Sequence, residues 1–264
     1  MLDKAKARQQ RVVVSHAGAD DFRRTQPPSY LELRDLGVSA ATDGMVGAMV
    51  LRAAYPCRPG ETGGAHRHMA QFQWLYVLKG WVKMGLAGKG EVVMKAGSCW
   101  TQPHGLAHDV LAYSDDYEVL LLNLPADYET SAAQLPEAAR EMPIVSQPGP
   151  DDFKPIEKRT HIVARDLGLM AGTGGKVNAF IAKAAHEFRT GQAGGRHLHR
   201  LDFQLMYVLK GYQTMDLGPL GTIKMDAGTC WTQPPDFVHE VVDYSDDFEC
   251  IVIDLPAEYE TAEV

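Results

Sequence analysis

Cysteine is scarce in this chain. Four thiols in 264 residues, Cys57, Cys99, Cys230 and Cys250, include no C-x-x-C pair, which excludes a zinc knuckle and a redox dithiol. So few cysteines without a signal peptide read as reduced thiols of a cytoplasmic protein. Long hydrophobic runs are also missing: stretches such as Val119–Leu122 fall far short of the roughly 20 residues a membrane helix needs. After Met1 the chain runs through Lys4, Lys6 and Arg8 into Gln9-Gln10, with no apolar core of a secretory signal. A basic excess is absent as well. The 26 Lys and Arg stand against 34 Asp and Glu, a net charge of −8, whereas a nucleic-acid partner requires a basic face. With 45% apolar and 23% charged residues, disorder is excluded. The length suits one large domain or two of about 130 residues.

What the chain does have is a repeat. Sliding it by 131 residues lays Asp35–Thr130 on Asp166–Thr261 without a gap, and 47 of the 96 positions are identical. Tyr76-Val77-Leu78-Lys79-Gly80 recurs as Tyr207-Val208-Leu209-Lys210-Gly211, and Cys99-Trp100-Thr101-Gln102-Pro103 as Cys230-Trp231-Thr232-Gln233-Pro234. A period this long means that each copy carries its own core, so the chain is a duplicated domain. The expected organisation is an N-terminal arm (1–27) without a counterpart in the second copy, a first domain (28–130), a connection (131–158) and a second domain (159–264). The connection holds Pro136, Pro143, Pro148, Pro150 and Pro155, with a short helix expected within Ala132–Met142.

Within each copy the apolar period is two, not 3.6. Gly44–Tyr55, a strand around His66–His68, Gln73–Leu78, Trp81–Leu86, Glu91–Met94, Ser98–Gln102, Ala107–Ala112 and Tyr117–Asn123 read as strands separated by turn residues. About eight short antiparallel strands per copy predict an all-β fold of two tandem units, each a jelly-roll barrel or sandwich.

Ten histidines are present, and six obey the repeat: His66, His68 and His108 match His197, His199 and His239. Residues i and i+2 of a strand share a face, so each H-x-H pair projects two imidazoles together, and a third arrives from a later strand. A single histidine on an apolar strand is ordinarily a hydrogen-bonded core residue. Three, repeated in register, point to a metal. Gln73 and Gln204 follow five residues after the second histidine, an odd spacing that needs a turn at Met69–Phe72 or Arg200–Phe203 to face the same way. Gln102 and Gln233, just before a proline, are candidates to line a pocket. Two aligned cation pairs, Arg52/Lys183 and Arg58/Arg189, would hold a substrate carboxylate if they pointed inward, though an outward, solvated placement is the simpler reading.

The order Gly60, His66-x-His68, Gln73, Gly80, then Gly97, Pro103-x-Gly105, His108 resembles the two motifs of the cupin family. The second copy repeats it as Gly191, His197-x-His199, Gln204, Gly211, then Gly228, Pro234, His239, with Asp236 in place of Gly105. The chain thus resembles a bicupin over nearly everything after the arm. The resemblance implies one divalent metal (Fe, Mn, Ni, Zn or Cu) per barrel, held by His66, His68, Gln73 and His108 and by His197, His199, Gln204 and His239. Glutamine stands where the family usually has glutamate, which leaves a neutral ligand set and a stronger Lewis acid. The expected function is metal-dependent catalysis on a small polar organic substrate, of isomerase, cyclase or lyase type. An Fe(II) dioxygenase and a non-catalytic binding or storage bicupin are the alternatives. No nucleic-acid or membrane partner is expected, and a homo-oligomer is left open.

Overall fold

A computed structural model describes residues 9–18, 21–25, 30–58, 60–157 and 159–264. Of the expected arm, residues 1–8, 19–20 and 26–27 lie outside the described residues. Strands dominate the chain, and helix is confined to the single turns Val38–Ala41 and Leu169–Gly172 and the 3₁₀ turn Gly218–Leu220 among the described residues. No helix of the described residues is long and apolar enough to cross a membrane. The chain divides into two units, one built mainly from Gly44–Pro148 with Gly18–Ala40, the other mainly from Gly149–Val264 with the segment ending at Ala17.

In the first unit a seven-stranded antiparallel sheet runs in the order Val145–Ser146, Cys99–Thr101, Phe72–Lys79, Glu118–Leu124, Gly47–Ala53, Leu31–Asp35, Arg23–Arg24. A five-stranded sheet orders Thr130–Ala132, His66–His68, Ala107–Tyr113, Trp81–Leu86 and Gly90–Lys95. Together they form the expected all-β jelly roll. Alternation decides which side chains meet inside: Leu75 and Val77 from one sheet join Val82, Met84 and Leu86 from the other in a single apolar cluster with Trp100 and Leu121. Glu118–Leu124 sits mid-sheet and is buried on both faces, which explains its unbroken apolar run.

The second unit repeats this plan. Its seven-stranded sheet is Val13–Ser15, Cys230–Gln233, Phe203–Lys210, Glu249–Leu255, Asn178–Ala184, Arg159–Asp166, Lys154–Ile156. Opposite lie a three-stranded sheet of Thr222–Asp226, Tyr212–Asp216 and Glu240–Tyr244 and a two-stranded one of His197–Arg200 with Glu260–Glu263, joined by a bridge from His197 to His239. Asp236 takes a left-handed φ of 59°, close to the 69° of Gly105, so the turn before the third histidine keeps its shape despite the substitution.

The repeat reaches further back than Asp35. Val14 pairs with Trp231, and Val145, 131 residues later, pairs with Trp100. Aligned at that offset, Val14, Ser15, Gly18, Asp21 and Phe22 match Val145, Ser146, Gly149, Asp152 and Phe153. The matched segments do matched work. The Gly18 and Gly149 amides donate to Asp21 and Asp152, and these carboxylates face the buried Arg34 (3.5 Å) and Arg165 (3.0 Å). Against the expectation of an arm without a counterpart, the N-terminal segment has one in residues 145–153, and each of the two adds an edge strand beside a Cys-Trp-Thr strand. Nor is the 131–158 connection bare. The helix expected within Ala132–Met142 does not form, since Pro136 supplies no N–H and crowds the preceding turn. Leu135 and Ala139 instead pack on the first core, and Glu137 pairs with Arg67 at 2.8 Å.

One glycine per copy is required by geometry. Gly80 and Gly211, both at φ 64°, close the hairpin against Ser114 and Ser245, whose Oγ atoms would collide with any Cβ there. Those hydroxyls accept from the N–H of Trp81 and Tyr212, each at 2.9 Å. The repeated Tyr-Ser-Asp-Asp is thus a turn lock.

Because Val14 and Val145 pack on the two apolar cores in equivalent strands, Val14→Asp and Val145→Asp should each lower the unfolding free energy by about 2 kcal/mol. Urea unfolding checks this, and an effect of Val145→Asp alone would contradict the equivalence.

Candidate metal centre

The strand register creates the site. His108 stands opposite His66 on the adjacent antiparallel strand, and His197 is bridged to His239 in the same way. His68, two residues on from His66, keeps its face. Ring centroids in the first set lie 4.4 Å (His66–His108) and 4.9 Å (each to His68) apart. The second set gives 4.4 Å (His197–His239), 4.9 Å (His197–His199) and 5.1 Å (His199–His239). One ring nitrogen of each member lies within 4.8 Å of the others in both sets.

Backbone carbonyls fix most of these rings. Nδ1 of His66, His108, His197 and His239 is hydrogen-bonded to the carbonyl of Gly64, Leu106, Gly195 and Phe237, and His199 Nδ1 to Thr261 Oγ1. This leaves Nε2 to face the centre, the arrangement that outer partners give a metal-binding imidazole. Burial and the neighbouring imidazoles push His68 down to about 4, His108 to about 3, His199 to about 3 and His239 to about 4. Burial leads in every case. All four are neutral at pH 7, with lone pairs available.

Gln73 is the second residue of the strand Phe72–Lys79 that follows the Met69–Gln71 turn, and Gln204 the second of Phe203–Lys210 after Leu201-Asp202. The Gln73 Nε2 donates to Asn123 Oδ1 (2.7 Å) and Tyr128 OH (3.2 Å), and the Gln204 Nε2 to Asp254 Oδ1 (2.7 Å) and Tyr259 OH (3.4 Å). Each Oε1 is thereby turned away from these donor contacts. In the first barrel it is buried and unpartnered. In the second it accepts from Gln233 Nε2. A divalent cation fits the first set well: three imidazoles and an orphaned amide oxygen are borderline donors suited to first-row metals. The second set offers the same atoms with its amide oxygen already engaged.

Each set faces a cavity inside its barrel. The first cavity, about 830 Å³, is lined by His66, His68, His108, Gln73 and Gln102 among mostly apolar side chains. The second, about 410 Å³, is lined by His197, His199, His239 and Gln204. Gln233 does not line it and instead holds Gln204. The aligned cations do not point inward. Arg52 pairs with Glu32 at 2.8 Å and stacks on Phe22, Lys183 pairs with Glu249 at 3.2 Å, Arg58 is exposed beside Glu61, and Arg189 is exposed.

Sequence reasoning missed four residues behind the glutamines: Asn123, Tyr128, Asp254 and Tyr259. A signal existed, because Tyr128-Glu129-Thr130 recurs as Tyr259-Glu260-Thr261. The Asn123-to-Asp254 change is the informative one. Burial pushes Asp254 up to about 6, against hydrogen bonds from Gln204 and Asn178 that hold it down. Asn178 replaces Gly47 as the strand partner of this position, supplying a donor (3.4 Å) where the first barrel has none.

Fold and site together define a chain of two cupin-like barrels. Residues 57–125 match the family described as Cupin domain, and the second barrel repeats the same elements 131 residues later, so the chain has the two-barrel fold of a bicupin. Its structure is similar to Bacillus subtilis oxalate decarboxylase, studied for its Mn(II) centres, at a TM-score of 0.65 and 13% identity over 96% of this chain and 79% of the other. It is also similar to Lactobacillus farciminis oxalate decarboxylase in complex with formate, at 0.65 and 12% over 96% and 88%. No curated protein matches the sequence significantly.

In the metal-free protein the raised pKa of Asp254 makes its ionisation a cost to the fold that is absent below the unfolded value near 3.8, grows as pH rises and is complete above about 6. Asp254→Asn, which copies the first barrel, should therefore gain about 1 to 3 kcal/mol over wild type at pH 8 relative to pH 4. Denaturant unfolding at the two pH values reads this difference, and a gain independent of pH would refute it.

Proposed function

We propose that the chain is a metal-dependent enzyme. It binds a divalent ion at His66, His68, His108 and Gln73 and another at His197, His199, His239 and Gln204, and performs lyase- or isomerase-type chemistry on a small organic molecule. The observation that carries this reading is the double convergence of three imidazoles on a cavity within each barrel, five of the six rings being oriented through Nδ1. When bound, the ion would supply Lewis acidity to a substrate carbonyl or enol, or to water.

The chain's own residues set the conditions for that chemistry. The amide oxygens carry no charge and burial keeps His68, His108, His199 and His239 neutral, so these groups would leave a bound ion's charge to act on the substrate. Tyr128, its ring centroid 5.0 Å from that of His68, is kept protonated by burial and presents a neutral hydroxyl beside the set. The solved neighbours named as oxalate decarboxylases support the lyase reading over the dioxygenase one, as their reaction removes carbon dioxide from a small acid. A reduced, cytoplasmic setting belongs to the same reading, on the scarcity of cysteine in the sequence.

Elemental analysis after loading with Mn(II), Fe(II) or Zn(II) is the test. Wild type should retain up to two equivalents, and His66→Ala and His197→Ala should each lose about one. Full retention in both variants would end the assignment. Oxygen uptake by the iron-loaded protein during turnover would favour the dioxygenase instead.

A further inference from the structure

The two cavities grow from one framework yet differ in what they admit. Leu51, Leu75, Val110 and Leu121 line the first, and Ala182, Met206, Val241 and Val252 take the same places in the second. The second adds polar groups: Gln213, with a buried unpartnered Oε1, where the first barrel has Val82, and His161 where it has Tyr30. It also has Arg159, whose charge acts on His199, Asp254 and Tyr259. Phe180 occupies the place of Met49. The volumes follow, about 410 Å³ against about 830 Å³.

The larger cavity is badly matched to a small dianion. It has space for on the order of twenty waters, which a ligand of six heavy atoms would leave against aliphatic walls. The cations among its lining residues, Arg23 and Arg24, are both exposed, and Arg24 already faces Glu32 at 3.8 Å. Tyr128 and Gln102 stand beside the three histidines and Gln73, while Trp100, Tyr117, Met49 and Met84 offer ring and thioether surface of the kind that receives an aromatic ring. A cavity of this size, mostly apolar with one polar focus, suits a ligand of drug-like dimensions.

We infer that the first barrel takes a molecule with an aromatic body and one oxygen-bearing chelating end, the body lying among Met49, Leu51, Leu75, Trp100 and Leu121 and the polar end at the His66, His68 and His108 set. The chelating end rests on the metal reading given above, whereas the aromatic body rests on the cavity alone. Met49 and Leu51 then set how large a ring is admitted.

Three probes test this by equilibrium dialysis against the full chain: 4-nitrocatechol (an aromatic chelator), 2-naphthol (aromatic, one oxygen) and oxalate (a small diacid). The Zn(II)-loaded protein should bind 4-nitrocatechol at least tenfold more tightly than oxalate, and 2-naphthol should bind with or without zinc. Met49→Trp should weaken both aromatic probes at least tenfold with zinc content unchanged. Met49→Phe, which installs the residue the second barrel already carries, should weaken them about threefold, and Phe180→Trp should leave them within twofold. Equal or tighter binding of oxalate, or aromatic binding indifferent to both Met49 substitutions, would overturn the inference. A chain that holds no zinc yet binds 2-naphthol in a Met49-dependent way would refute the metal reading and leave the aromatic cavity standing. Full zinc content with no aromatic binding would refute the cavity inference alone.

Discussion

The antiparallel register that sets His108 opposite His66, and His239 opposite His197, governs the rest of the structure. Side chains alternate with a period of two, so a slip of one residue between these strands would turn an imidazole outward and move its apolar neighbours with it. The turn before the third histidine fixes the register from one side, through Gly105 in one copy and Asp236 in the other, both left-handed. From the other side it is fixed by Thr130–Ala132, which pairs along His66–His68, and by Glu260–Glu263, which pairs along His197–Arg200. The ligand geometry is thus a by-product of sheet pairing.

Duplication gives two sites the same first ring of atoms, and divergence shows in the ring behind it. His68 Nδ1 and Gln73 Oε1 are buried without partners in the first barrel, while their counterparts in the second are held by Thr261 and Gln233. Asn123 behind Gln73 is neutral. Asp254 behind Gln204 can be a carboxylate, and Asn178 has come with it as a donor. An ionised Asp254 only accepts, so it forces the Gln204 amide to present its oxygen inward, whereas Asn123 can serve either amide orientation. The second barrel therefore orders its set through internal hydrogen bonds, and the first leaves its set under-satisfied and ready for an external ligand. The cost of burying unpaired polar atoms is most readily offset where something binds.

Much of this was legible in the sequence. The gap-free repeat gave the duplication, the period of two gave the strands, and H-x-H with a third histidine gave both sets, because each signal is local or repeated. Gln73 and Gln204 were legible despite odd spacing, as a turn was the only way to bring them round. Asn123, Asp254, Tyr128 and Tyr259 were not, since they act through the glutamines and lie about 50 residues from them in sequence. The role of Val13–Ser15 was hidden for a different reason. Edge strands of three residues carry too little pattern to be read, and Val14, Ser15 and Gly18 stand out only once Val145, Ser146 and Gly149 are known to do the same thing.

That last feature bears on how the fold is specified. Cys99-Trp100-Thr101 and Cys230-Trp231-Thr232 are identical, wholly buried and flanked on one side by a long central strand. Their other edge would offer unpaired backbone groups to any extended segment, a liability that β-proteins must manage. Here each edge is covered by a short strand taken from a sequence that occurs twice, Val14-Ser15 and Val145-Ser146. The Gly-to-Asp turn that follows each strand directs its carboxylate at a buried arginine. Two identical strands, two covers and two locks make the repeated unit longer than the barrel motif alone, and they place the closure of each barrel in residues that carry none of its chemistry.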